Sequence, residues 1–253
     1  MKHISDKIEW HIGSSGFYYK DWKGIFYPEK LAASKWFAFY CSHFNTLESN
    51  VTFYRLPKLS ALSRWYDISP IDFSFSVKAP RLITHYKKFK NVEDDLSSFY
   101  NLVQAGFKEK LACVLFQFPP QFEYNEERCQ DIIKKLSHDF INVLEFRHES
   151  WWKPGIINTI KEQQIVFCNI SYPKLKETFI ETFPITYFRF HGVPNLFQSS
   201  YSKEYLAAIL EKTRLNKKSK RNYFYFNNTM HGAALDNISY LQGLLLNNIL
   251  RQT

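Results

Sequence analysis

The feature that most constrains this chain is a regular alternation. Short β-branched and aromatic runs take turns with helix-length amphipathic segments from one end to the other. Strand-like runs fall at residues 8–12, 46–48, 73–78, 111–117, 141–147, 165–169, 186–191 and 222–227. Helical periodicity fills 31–43, 59–69, 92–108, 125–138, 155–163, 202–212 and 236–250. Asn91 ahead of Val92-Glu93-Asp94-Asp95, and Ser202 ahead of Glu204, are helix start signals. The stretch 171–184, after the sixth strand-like run, is less clearly helical and reads as a loop. Strands alternating with helices form a parallel sheet, and 253 residues is the usual size of one (β/α)8 barrel. The expected fold is α/β: a TIM-like barrel, one domain over residues 1–253, with irregularity after strand six. The rival is an open doubly wound sheet, which would usually carry a GxGxxG turn after its first strand. Gly13-Ser14-Ser15-Gly16 lacks that spacing and runs into aromatics rather than a helix.

Composition narrows the class. Aromatic residues at 18% beside only 8 glycines argue against disorder or a flexible string of modules. No apolar run approaches the roughly 20 residues that span a bilayer, so no membrane partner is expected. The opening MKHISDKIEW has no apolar signal region. Cys41, Cys113, Cys129 and Cys168 are scattered with no CxxC pair, which reads as reduced thiols in a cytoplasmic protein. A net charge of +9 points to an anionic small molecule or nucleic acid as partner, or simply to a lysine-rich solvated surface. Part of the excess is Lys212, Arg214, Lys217, Lys218, Lys220 and Arg221, a run without interleaved aromatics to stack bases. Nothing in the sequence sets the oligomeric state.

Alternation of side chains across a strand locates the polar residues. In Phe73-Ser74-Phe75-Ser76-Val77-Lys78 the apolar set shares one face, which must meet helices, so Lys78 points inward at the C-terminal end. By the same parity Phe188 and Phe190 go outward while Tyr187, Arg189 and His191 go inward. Glu145 and Arg147 oppose Leu144 and Phe146, and Tyr223, Tyr225 and Asn227 oppose Phe224 and Phe226. The fourth strand is apolar on both faces, with Gln117 its terminal polar residue, and Glu48 ends the second. Glu48, Lys78, Gln117, Glu145, Arg147, Arg189, His191 and Asn227 therefore converge on the end where barrel active sites lie. An alternative is internal pairing, of Glu145 with Arg147 or Arg189 and of Glu48 with Lys78. Clustering at one end favours a site, and the cations outnumber the carboxylates by one, which suits an anion.

The motifs around these positions resemble the YecE-like family, the group called domain of unknown function 72. The resemblance rests on Ile12-Gly13-Ser14-Ser15-Gly16 with Trp22, Gly24 and Phe26-Tyr27-Pro28, and on 44–50 leading into Thr52-Phe53-Tyr54-Arg55-Leu56-Pro57. It continues through Phe75-Ser76-Val77-Lys78 with Thr84-His85, Gln117-Phe118-Pro119-Pro120 and Glu145-Phe146-Arg147-His148-Glu149-Ser150-Trp151. Tyr187-Phe188-Arg189-Phe190-His191-Gly192 and Tyr225-Phe226-Asn227-Asn228, with Gly232 and Ala234, complete it over nearly the whole chain. The resemblance implies a TIM-like barrel in a family without an established reaction. That family often has an acidic residue shortly before the proline after strand six; Ser171-Tyr172-Pro173 departs from this.

Several chemistries suit the residues. Glu48 or Glu145 as base, with His191 as acid or base and Lys78, Arg147 and Arg189 holding charge, would serve a phosphoesterase, lyase or isomerase. Gln117 and Asn227 would add polar contacts, and Tyr18, Trp22, Phe53 and Tyr54 would wall the pocket. The loop Gly13, Ser14, Ser15 and Gly16 would offer backbone N–H groups to an oxyanion, or is merely a tight turn. A metal on Glu48, Glu145 and His191 is disfavoured by the nearby cations, and no organic cofactor motif is present. Glu48 and Glu145 also fit a glycosidase pair. A non-catalytic protein that binds nucleic acid or a phosphorylated metabolite is the alternative of a different class. His85, His148 and His231 are expected in loops near the mouth, and His3, His43 and His138 on ordinary surface.

Overall fold

A computed structural model describes residues 8–250, so His3 lies outside the described residues. Among the described residues nine parallel strands occur in chain order: β1 (Glu9–Ser14), β2 (Thr46–Ser49), β3 (Ser74–Lys78), β4 (Leu111–Gln117), β5 (Asn142–Glu145), β6 (Val166–Phe167), β7 (Asn169–Ser171), β8 (Ile185–Phe190) and β9 (Arg221–Phe226). They hydrogen-bond in two arcs, β2-β3-β4-β5-β6 and β7-β8-β9-β1. The arcs join at both margins. Between β6 and β7 the chain runs on through Cys168, whose N–H donates to Leu144 O at 2.8 Å. Between β1 and β2, Ser15 and Glu48 form a parallel bridge and Gly16 N–H donates to Glu48 O at 2.9 Å. The result is the expected TIM-like barrel, with the sixth stave broken into β6 and β7.

The faces sort as parity requires. Phe75, Val77, Leu144, Phe146, Phe188, Phe190, Phe224 and Phe226 join the helices in one large apolar cluster. Cys113, Leu115, Val143, Val166, Tyr187, Tyr223 and Tyr225 fill the barrel as a second. The ambiguous fourth strand thus resolves, with Val114 and Phe116 outward and Gln117 inward with Cys113 and Leu115.

The helices follow the amphipathic pattern with shifted ends. Glu93–Phe107 forms, yet Asn91 does not cap it: Asn91 adopts φ +50° and Glu93, Asp94 and Asp95 fill the first turn instead. Ser202 does cap Lys203–Leu215, its hydroxyl accepting from Tyr205 N–H at 3.2 Å. The region predicted as one helix over 31–43 is shorter, a 3-10 turn at Ala33–Lys35 followed by Trp36–Cys41. Residues 172–184 contain no helix, as expected. Cys41, Cys113, Cys129 and Cys168 are free and buried. Among the described residues no helix is long and apolar enough to cross a membrane.

Candidate functional site

The C-terminal strand ends carry the charges. Glu48 lies in β2, Lys78 and Gln117 end β3 and β4, Glu145 ends β5, and Arg189 lies in β8. Arg147, His191 and Asn227 follow just beyond β5, β8 and β9. Arg189 is the hub and is closed off from solvent. Its Nε donates to Glu48 Oε2 at 2.9 Å, Nη2 donates to Glu48 Oε1 at 2.7 Å, and Nη1 donates to Glu145 Oε2. Glu48 also accepts from the Ser15 hydroxyl and, at 2.6 Å, from Tyr187 OH. Both oxygens of that carboxylate are therefore occupied by donors of the protein itself.

Glu145 Oε1 accepts from Arg147 Nε at 2.6 Å and lies 3.3 Å from His191 Nε2. The Asn227 amide nitrogen lies 2.9 Å from His191 Nδ1. A neutral imidazole satisfies both contacts, donating Nε2–H to Glu145 and accepting at Nδ1. Burial supports that state: it lowers the His191 pKa to about 3 despite the nearby Glu145. Burial alone would raise the Glu145 carboxyl, but the Arg189 and Arg147 guanidiniums hold it well below the usual carboxylate range.

Lys78 stands apart from this network. It is only 8% exposed, and its Nζ donates to Gln117 Oε1 at 2.8 Å and sits 3.8 Å from the Phe53 ring centroid. Internal pairing of Glu48 with Lys78 does not occur; Glu48 goes to Arg189 instead. No ion pair to Lys78 forms among the described residues. Burial, with Arg189 and Arg147 nearby, lowers its pKa to about 7.

A wall lies beside Lys78. The segment Leu82–Tyr86 after β3 is a π-helical turn, a shape frequent at functional sites. It presents His85 edge-on to Phe53, with ring centroids 5.1 Å apart. Burial, then Lys78 and Arg147, lowers the His85 pKa to about 4, so this imidazole too is neutral. Arg81 lies over the Tyr54 and Tyr86 rings, at 5.9 and 5.3 Å, and Tyr54 is 68% exposed. Across the mouth the Arg147 guanidinium stacks on Tyr172 at 4.7 Å.

Other predicted site residues fall elsewhere. Trp22 is closed off completely, packed on Tyr19 and Phe26 with its indole N–H donating to Thr229 O at 2.8 Å. It builds the core and does not wall a pocket. Tyr18 is exposed but packs on Trp36 and Phe17. The Gly13–Gly16 segment does not present free N–H groups. Ser14 N–H donates to Tyr40 OH, Ser15 N–H to Phe226 O and Gly16 N–H to Glu48 O, while Gly13 continues the strand. Gly13 is needed because an added Cβ would sit 2.4 Å from Thr46 O. His148 bonds Ser150, and His231 turns at φ +55° with its N–H on Asp21. His43 contacts Phe39 O, and His138 lines a hollow of 420 Å³ with Ile141, Ile165 and Pro184, at the opposite end of the strands.

Arg81, Tyr86 and Tyr172 were missed from sequence. Arg81 and Tyr172 carried a signal, lying three residues and one residue past the ends of β3 and β7, whereas Tyr86 lies eight residues past β3 and carried none. The basic run 212–221 precedes β9 and so lies at the other end of the barrel from the ions. Among the described residues no group of three His, Cys, Asp or Glu is placed to hold a metal. The Arg189 guanidinium bridges Glu48 and Glu145.

The family model described as "Protein of unknown function DUF72" matches residues 11–252. The UPF0759 protein YunF of Bacillus subtilis is 29% identical over 252 residues, covering 87% of this chain and 89% of that protein. The UPF0759 protein YecE of Escherichia coli O157:H7 is 24% identical over 154 residues, covering 60% of this chain and 54% of that protein. The crystal structure of a DUF72 family protein from Thermotoga maritima superposes with a TM-score of 0.83 at 28% identity, covering 93% of this chain and 99% of that one. Another, from Enterococcus faecalis, gives 0.79 at 20% identity over 93% of this chain and 95% of that one, and shares the fold.

Proposed function

We propose, from the premise that the chain belongs to the DUF72 family of proteins of unknown function, that it is an enzyme acting on a small molecule bearing a phosphate or carboxylate. The substrate binds at the C-terminal mouth of the barrel and is turned over by acid–base chemistry. One observation carries this reading: Glu48 and Glu145 are shared by buried Arg189 and partly buried Arg147, while Lys78 pairs with neither among the described residues, so the mouth holds a cation in excess whenever Lys78 is protonated. An uncompensated charge of that kind costs several kcal/mol, roughly, and persists where a ligand neutralises it.

The residues divide the work. Arg189 is bound on both sides by carboxylates and holds the frame rigid. Arg147 meets Glu145 through Nε, which leaves its terminal nitrogens to grip an anion in a fork. Lys78 adds a second cation in its protonated form, and Tyr54 and Tyr172 flank the opening. Glu48 and Glu145 both have their two oxygens occupied, so proton transfer falls to His85 and Lys78. Because Arg189 lies between Glu48 and Glu145, the glycosidase arrangement is set aside. A metal is not part of the proposal.

Thermal unfolding in the presence of inorganic phosphate, sugar phosphates, small carboxylates, short oligonucleotides and divalent metals tests it. A ligand at about 100 times its Kd adds about 2.7 kcal/mol of stability. The expected result is selective stabilisation by one class of small anion, weakened in Arg147→Ala without unfolding. Equal affinity in that variant overturns the site. Stabilisation by oligonucleotides alone, lost steeply with salt, replaces it with nucleic-acid binding.

A further inference from the structure

The structure contains a comparison between two buried lysines. Lys110 is 6% exposed and Lys78 is 8% exposed. Lys110 Nζ donates to Tyr66 O and Ser69 O, both at 2.8 Å, and to Ser69 Oγ at 2.9 Å. Those three oxygens match the three N–H donors of an ammonium, and Lys110 is a structural cation. Lys78 Nζ meets a single oxygen, Gln117 Oε1, and one aromatic face. Gln117 is fixed in that orientation because its own amide nitrogen donates to Phe118 O at 2.7 Å. The cations Arg147 and Arg189 are near, and the two carboxylates are held by them. This environment suits a free amine better than an ammonium: desolvated, beside other cations, with one acceptor.

We infer that Lys78 is a nucleophilic amine that forms an imine with an aldehyde or keto acid whose carboxylate or phosphate is held at the mouth. The inference rests on the anion-site reading above and names the class of substrate. The Lys78 nitrogen lone pair attacks the carbonyl carbon, forming a C–N bond while the carbonyl π pair moves to oxygen. That oxygen takes a proton and the nitrogen loses one, giving a carbinolamine. The C–O bond then breaks, the hydroxyl leaves with a proton as water, and C=N forms. No oxidant or reductant is required. The neutral His85 imidazole, beside Phe53 and hydrogen-bonded at Nδ1 to Thr84 Oγ1 at 2.8 Å, carries protons in these steps. Arg147 binds the anionic end and orients the carbonyl. The lowered basicity of Lys78 leaves a large share of free amine at neutral pH.

The 253-residue chain is incubated at neutral pH with glyoxylate, or separately with uncharged glycolaldehyde, in the presence of cyanoborohydride. The hydride traps any imine as a secondary amine, and peptide mass mapping locates it. The expected result is glyoxylate labelling of Lys78 at least about tenfold faster than Lys110 or the surface lysines. Glycolaldehyde labels Lys78 more slowly, and Lys78→Arg loses the adduct. Glyoxylate label spread over surface lysines with Lys78 unmodified overturns the inference. If glyoxylate stabilises the fold yet leaves Lys78 unlabelled, the anion site stands and the imine falls. If both probes label Lys78 equally, the amine is nucleophilic and the anion site falls. Mapping of the wild-type chain decides between these outcomes even where the variant folds poorly.

Discussion

Halfway along the barrel axis the interior is neutral and rich in hydroxyls, while at the C-terminal mouth it is ionised. Both regions are buried. In the middle, Tyr225 OH lies 2.5 Å from Thr46 Oγ1 and 2.8 Å from Ser76 Oγ, and Ser76 Oγ lies 2.9 Å from Cys113 Sγ. His11 stacks on Tyr223 at 4.5 Å. Burial raises the Tyr225 and Tyr223 hydroxyls and pushes the Cys113 thiol up to about 12, so these groups stay protonated and uncharged. Tyr187 joins the two regions by donating to Glu48. The difference is instructive. The neutral groups carry no net charge and bond largely among themselves, although His11 Nε2 has no hydrogen-bond partner among the described residues. The mouth instead holds full charges that on the proposed reading also meet a ligand.

Breaking the ionised region carries the largest effect. Arg189→Leu leaves Glu48 and Glu145 buried without their shared partner and costs about 3–5 kcal/mol in urea unfolding. A loss below about 1 kcal/mol would mean the carboxylates are not truly held by that hub.

Next in size is a gain. The Lys78 pKa falls from about 10.4 in an unfolded chain to about 7 in the fold. Between those values the unfolded state binds more protons, so stability climbs with pH across that window and the full penalty applies below it. Lys78→Met should therefore stabilise the protein by roughly 2–4 kcal/mol at neutral pH and flatten the alkaline climb. A destabilised variant with the climb intact contradicts the reading.

Acid sharpens the contrast further. His191 and His85 have folded pKa values lowered to about 3 and about 4, so the unfolded state takes up their protons first as pH drops below about 6.5. Stability falls through that range, and falls again from about 4.3, where the unfolded chain takes up the Glu145 proton, down to the depressed value of the folded carboxyl. His191→Asn should remove roughly 1–2 kcal/mol of that acid sensitivity, read from denaturation midpoints at several pH values.

In the neutral region Tyr225→Phe removes one hydroxyl shared by Thr46 and Ser76 and costs about 1 kcal/mol, the same at every pH below 9 or so. A marked pH dependence would erase the distinction between the two regions. The smallest effect belongs to the wall. Tyr54→Ala should change stability by less than about 0.5 kcal/mol while weakening ligand affinity, measured by the same thermal titration.

Much of this was legible in the sequence because strand parity is a hard geometric rule. Tyr187-Phe188-Arg189-Phe190-His191 reads as inward and outward residues without any structure, and the outward phenylalanines pack as they must. The fourth strand could not be read that way, since a parallel strand buried on both faces has no polar side. The break at Cys168 was equally hidden, as no glycine or proline marks it. Misplaced residues share a cause. Trp22 and the Gly13–Gly16 segment were assigned by nearness to a strand end, but their N–H groups are taken by Thr229, Tyr40, Phe226 and Glu48, partners distant in sequence. Pairing is the information that composition and period do not carry. It is also why internal pairing, weighed as the alternative for Glu48 with Lys78, occurs in the fold with Arg189 instead.

The bridge between Ser15 and Glu48 joins the first stave to the second, and the same glutamate is the counter-ion of Arg189. One residue thus serves as clasp and as electrode. A barrel that closes at this seam brings the Glu48 carboxylate to Ser15 and Arg189 in the same act. Such a molecule has little freedom to lose its ionic frame by drift while keeping its shape, whereas the exposed wall of Tyr54, Arg81 and Tyr86 can vary at small expense. Novelty in ligands would be expected to enter through the wall, with the frame passed on unchanged beneath it.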